Sequence, residues 1–173
     1  MLAPLAAAAQ TFDVVGACRS GVPHGAYELR TQDGRLRVVG AFAQGKKTGT
    51  FIFWSSSGAR VAVIPYQDDE KTGTVALWYT VPGATRERQR KLEAPYVANR
   101  LNGIKRSWNP RGSRRAEFRY QRGVLTDARA WEDNGTRRSA PEAAAQAAAD
   151  ESTDRQLFAA LEALVRDHSP HCD

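Results

Sequence analysis

The sequence predicts a mainly β protein: a meandering antiparallel sheet of β-hairpins, about five repeated units, with C-terminal α-helices that pack on the sheet or cap it. Three observations predict this. Glycines at 25, 49 and 73 are spaced by 24 residues and Gly103 follows after 30. Aromatic residues keep the same rhythm: Trp54, Trp78, Trp108 and Trp131 step by 24, 30 and 23, and Phe42, Tyr66, Tyr96 and Tyr120 by 24, 30 and 24. After Gly135 the periodicity stops and a run of helix formers begins.

In chain order, residues 1–17 read as a signal-like, unstructured start. Met1-Leu-Ala-Pro-Leu-Ala-Ala-Ala-Ala-Gln10 is apolar, small and uncharged. It resembles the end of a secretory signal with processing near Ala9, and implies a periplasmic or secreted protein. Residues 18–138 carry the repeats. Each unit opens with an aromatic and β-branched strand, as in Thr50-Phe-Ile-Phe-Trp54 or Thr74-Val-Ala-Leu-Trp78. That strand ends at a glycine turn, Asp33-Gly34, Ser57-Gly58, Arg111-Gly112 or Asn134-Gly135, where Asp-Gly and Asn-Gly favour two-residue hairpin turns. A second strand, such as Val61 to Tyr66, runs back to an aromatic residue. A Gly-x-x-x-Gly step follows at Gly45 to Gly49, with Asp69 and Asn99 replacing the first glycine in later units; both tolerate positive φ. The stretch Gly83 to Arg90 is an insertion that accounts for the single step of 30. About ten short strands result.

Residues 139–173 form the helical cap. Ser139-Ala-Pro-Glu142 has a capping serine, an early proline and a glutamate three residues on. A second start at Ser152-Thr153-Asp154 would open a second helix, with Leu157, Phe158, Leu161, Leu164 and Val165 on one stripe facing the sheet. Helices over 139–150 and 153–168 reach about 42 Å, and ten strands make a ribbon of roughly 45 Å. A helical segment lying back along the sheet would therefore bring Cys172 near Cys18, and a Cys18–Cys172 disulfide in an oxidising compartment is expected.

The units resemble MORN-type repeats, and more closely bacterial MORN-variant repeats, through Gly45-Lys-Lys-Thr-Gly49-Thr-Phe51-Ile-Phe53-Trp54, then Gly58 and Tyr66. The resemblance covers about residues 21–138. It departs in lacking an acidic or Glu-Gly stretch, in the insertion of the third unit, and in Asp127 where a fifth glycine would fall. It implies a solenoid that binds or scaffolds proteins, in some members acidic lipids, and some bacterial relatives carry an antitoxin label.

Charge is unevenly distributed. Residues 86–122 hold twelve basic and three acidic groups, whereas residues 123–173 hold five and ten. Either a basic surface meets an acidic partner, or the acidic tail folds back on a basic body. Arg86, Arg88, Arg90, Lys105, Arg106, Arg111, Arg114, Arg115 and Arg119 come from neighbouring units and form the expected partner or lipid surface. No catalytic constellation, cofactor motif or metal-ligand spacing is recognised: His168-Ser-Pro-His171-Cys172 lacks enough further ligands for zinc, and His24 lies in a turn. The expected function is a non-enzymatic scaffold of the bacterial cell envelope with a protein partner. The alternatives are contact with anionic lipid headgroups through the basic 86–122 surface, and an antitoxin or immunity role. Neither nucleic acid nor a small-molecule substrate is expected.

Overall fold

A computed structural model describes residues 11–81, 83 and 89–173. The described residues form two layers, an open antiparallel sheet of twelve strands and one helix laid across a single face of it. The strands are β1 (Phe12–Arg19), β2 (Val22–Thr31), β3 (Leu36–Ala43), β4 (Lys46–Trp54), β5 (Arg60–Gln67), β6 (Glu70–Lys71), β7 (Gly73–Trp78), β8 (Arg90–Val97), β9 (Arg100–Leu101), β10 (Gly103–Trp108), β11 (Arg114–Gln121) and β12 (Val124–Ala130), followed by α1 (Ala140–Asp167). Spatial order follows chain order, with the two-residue strands β6 and β9 pairing off the main path with β5 and β8.

The shared register of the periodic residues has a direct structural cause. Each repeat glycine stands opposite the aromatic residue that ends the next strand: Gly25 faces Phe42, Gly49 Tyr66, Gly73 Tyr96 and Gly103 Tyr120. The tryptophans pair instead with the residue that starts the following strand, Trp54 with Arg60, Trp78 with Arg90, Trp108 with Arg114 and Trp131 with Arg137. An insertion between two members of such a pair shifts every later series together, as the step of 30 does.

Turn chemistry differs from expectation. Asp-Gly and Asn-Gly do not make two-residue turns; at Gly34, Gly58, Gly112 and Gly135 the glycine amide bonds the carbonyl three residues earlier, and only the glycine takes positive φ. The two-residue turns with positive φ at both positions are Ser20-Gly21, Gln44-Gly45, Asp68-Asp69, Ala98-Asn99 and Arg122-Gly123. Asp69 and Asn99 do more there than tolerate φ values of 71° and 64°. Their side-chain oxygens accept the amides of Lys47 and Lys71 at 2.9 and 2.8 Å, stitching the first turn to β4 and the second to β6.

Two further expectations need correction. The sheet begins at Phe12, so residues 12–17 are strand rather than unstructured leader. The C-terminal segment is one helix, not two. Thr153 Oγ1 bonds back to the Ala149 carbonyl inside it, and Asp154 spends its carboxylate on Lys105 instead of opening a second helix. The tryptophans stand outside the core cluster, whereas Tyr120 belongs to it. Each follows a residue that faces α1, Phe53, Leu77, Ser107 or Ala130, so the pleat turns it to the other side. Of the 83–90 insertion, residues 84–88 lie outside the described residues.

The core lies between sheet and helix. Tyr27, Phe42, Phe51, Phe53 and Tyr66 form its aromatic half, with edge-to-face contacts such as Phe51–Tyr66 at 5.4 Å between ring centres. Such contacts stabilise by about 0.5–1.5 kcal/mol each beyond area burial. Alanines at 62, 94, 116 and 130 of the sheet and Ala143 and Ala147 of the helix are buried in this core, small side chains that let the helix approach closely. Leu157, Leu161 and Leu164 pack against the same core, so the apolar stripe of α1 is a core face. The helix does return the chain to its start: Cys18 and Cys172 are disulfide-bonded with Cα atoms 5.7 Å apart.

Candidate functional site

The two faces of the sheet have different chemistry. On the covered face α1 presents a residue roughly every four positions to a new strand, as one stripe of a helix must. Asp150 takes the Arg115 guanidinium of β11 in a two-pronged bond at 2.5 and 2.8 Å. Asp154 accepts from Lys105 Nζ of β10 at 2.6 Å, and Phe158 meets Tyr96 of β8 edge-on. Glu162 accepts from Lys71 Nζ at 2.8 Å and from Tyr66 Oη at 3.2 Å. At the far end the His168 carbonyl takes the Tyr27 hydroxyl at 3.0 Å, and its ring abuts Phe12 of β1. The acidic tail thus folds back on the basic body.

These contacts correct the expected basic surface. Lys105 is only 2% exposed and belongs to the sheet–helix interface. It lies in register with Phe118, on the face that α1 covers. Arg115, half-buried, is likewise held by α1, and the Asp150 hydrogen bond raises its already high pKa further. Arg86 and Arg88 lie outside the described residues. The others sit on the uncovered side or at its turns. Arg90 pairs with Glu93 and stacks 5.2 Å from the Trp78 ring centre. Arg106 and Arg114 both reach Glu117 at 3.6 Å, and Arg114 also lies over Trp131. Arg111 and Arg119 are exposed, with no ion pair among the described residues.

The uncovered face has an order that no single repeat displays. Strand pairing lines up Val15, Glu28, Val39, Ile52, Val63, Ala76, Glu93, Arg106, Glu117 and Arg129 in one row across the sheet. Its middle is aliphatic. From Glu93 onward the signs alternate, so neighbouring strands are also joined by charge. Glu93, Glu117 and Arg129 were missed as members of this surface because they occupy variable repeat positions; period-two alternation from the core residues Leu92, Phe118 and Ala128 would have placed them.

Burial sets the ionisation of the covered face. It pushes Tyr27 up to about 12. Burial also raises Tyr66, helped by Glu162, and Tyr96, helped by Asp154 and Glu151. Tyr120 is raised by burial and by the Glu151 carboxylate. Between α1 and the turn edge lies a cavity of about 370 Å³, with Tyr96, Leu101 and Phe158 on its walls and Arg100 and Arg155 among its lining. No group of three His, Cys, Asp or Glu side chains suited to a metal occurs among the described residues. His24 Nδ1 accepts the Gln44 amide at 3.3 Å, and the His168 ring bonds the Leu164 carbonyl, so both rings are engaged with main chain. No described helix is long and apolar enough to cross a membrane.

No protein-family model matches the chain, and no curated protein matches it either.

Proposed function

We propose that the protein is a non-enzymatic scaffold of the bacterial cell envelope whose uncovered sheet face binds another protein. The observation that carries this reading is the asymmetry of the sheet: α1 occupies one face from end to end, and the opposite face is left with an ordered row, aliphatic at Val39, Ile52 and Val63 and charged from Glu93 to Arg129. A wide, rigid face with an apolar strip beside arranged charges suits a protein surface. A MORN-like solenoid of about five units is part of the same proposal, since side-by-side hairpins build extended recognition surfaces. The Cys18–Cys172 disulfide is compatible with a periplasmic or secreted location.

Affinity capture from envelope extract tests it. Wild type is compared with Ile52→Glu/Val63→Glu and with Arg106→Glu/Arg119→Glu, none of which touches the sheet–helix interface. Loss of the same partner in both variants is expected; a partner retained at wild-type yield by both removes the uncovered face from function. Arg111 and Arg119, exposed and in no ion pair among the described residues, favour a second reading, contact with anionic lipid headgroups. That reading requires liposome binding that weakens with salt.

A further inference from the structure

We infer that β1 pairs with β1 of a second copy of this chain, joining two sheets edge to edge about a twofold axis at Gly16. Among the described residues β1 is the outermost strand at one end of the sheet, and residues 13–19 are all exposed. Such an edge offers a row of unpaired main-chain donors and acceptors, which proteins usually blunt with charge, proline or a bulge. β1 has none of these at its centre, Val14-Val15-Gly16-Ala17, where Val14 and Val15 are 38% and 53% exposed. The irregularity in its pairing with β2, between Gly16 and Cys18, places the extra residues on β2. The opposite edge differs: β12 carries Asp127 and Arg129, ion-paired at 3.0 Å.

β1 is also self-complementary. Phe12, Gly16 and Cys18 face α1, through the His168 ring, Pro170 and the disulfide, so Asp13, Val15, Ala17 and Arg19 lie on the uncovered face. A twofold axis perpendicular to the sheet keeps like faces together, so only registers joining odd with odd positions are possible. The register centred on Gly16 sets Asp13 opposite Arg19 twice and Val15 opposite Ala17 twice. Among the described residues neither Asp13 nor Arg19 has an ion pair, and Arg30, across from Asp13, is engaged by Glu28. Both helices then lie on one side, and the two uncovered faces become continuous. The disulfide and the Phe12–His168 contact hold the edge in place for docking.

Sedimentation of the full chain over a concentration series tests this directly. A monomer–dimer equilibrium is expected, about tenfold weaker in Asp13→Arg and in Arg19→Asp, each of which turns two opposite-charge pairs into like-charge ones. The double variant Asp13→Arg/Arg19→Asp restores dimerisation. Intact-mass detection of the disulfide checks that each variant has folded. On wild type, hydrogen exchange supplies a readout without substitution: β1 amides gain protection as concentration rises and β12 amides do not. A monomer at every concentration overturns the inference, as do single variants that dimerise like wild type, a double variant as weak as the singles, or protection that rises at β12 through head-to-tail pairing.

Discussion

Lys105 and Asp154 show how a residue's role depends on what covers it. An ammonium group in the interface without a counter-charge is costly, because burial disfavours the charged form. Asp154→Ala should therefore lower stability by about 3–5 kcal/mol, whereas Lys105→Met combined with Asp154→Leu should be near neutral. Urea unfolding of both variants measures the contrast. Gly40 marks a second single-residue constraint. A Cβ there would lie 2.5 Å from the Phe51 ring, in a core that cannot yield. Gly40→Ala is expected to cost about 1–3 kcal/mol by overpacking, read from the same unfolding curves. Neither contact is visible in the repeat pattern, because Gly40 is not a turn glycine and Lys105 looks like one more surface cation.

At the scale of elements, α1 acts as a strap. Its start is held by Glu142, whose carboxylate accepts both the Ser139 amide at 2.9 Å and the Ser139 hydroxyl at 2.6 Å. These bonds hold the Glu142 carboxyl below its ordinary value. The capping contribution is therefore present above the ordinary carboxylate range and is lost as pH falls through the lowered value. Its far end is tied by the disulfide, which spans 154 residues of sequence. Chain-entropy reasoning assigns such a closure about 5 kcal/mol. Cys18→Ser/Cys172→Ser should lose stability of that order in thermal unfolding, and its hydrogen exchange should rise first near residues 162–168 while the Asp150–Arg115 end stays protected. Uniform loosening along α1 would contradict the strap.

Across the whole molecule, the buried tyrosines under α1 form a common alkaline liability. Tyr27 is pushed up to about 12 from an ordinary value of 10.0, and burial raises Tyr66, Tyr96 and Tyr120 in the same direction. A raised folded pKa means that the stabilising contribution is complete below the unfolded value near 10 and is lost as pH rises through the folded one. The protein should be insensitive to pH between about 8 and 10 in this respect, then unfold cooperatively above it. Tyrosinate absorbance should appear together with loss of β-sheet circular dichroism. Ionisation of these tyrosines in a protein that is still folded would contradict their placement beneath the helix.

The periodic glycines and aromatics determined by themselves that this chain makes hairpins in sequential order, since turn φ values and cross-strand pairs are local and repeat with the residues that cause them. The helix start at Ser139 and the closing disulfide were legible for similar reasons, one from capping chemistry and one from matching lengths. Tertiary structure alone decided which face α1 covers. That choice turned Lys105 and Arg115 from candidate partner contacts into internal ion pairs and set Trp78 and Trp131 on the uncovered side beneath arginines. The physical reason is that local sequence specifies alternation between two faces but not which face is buried; that depends on contacts between residues such as Lys105 and Asp154, forty-nine positions apart.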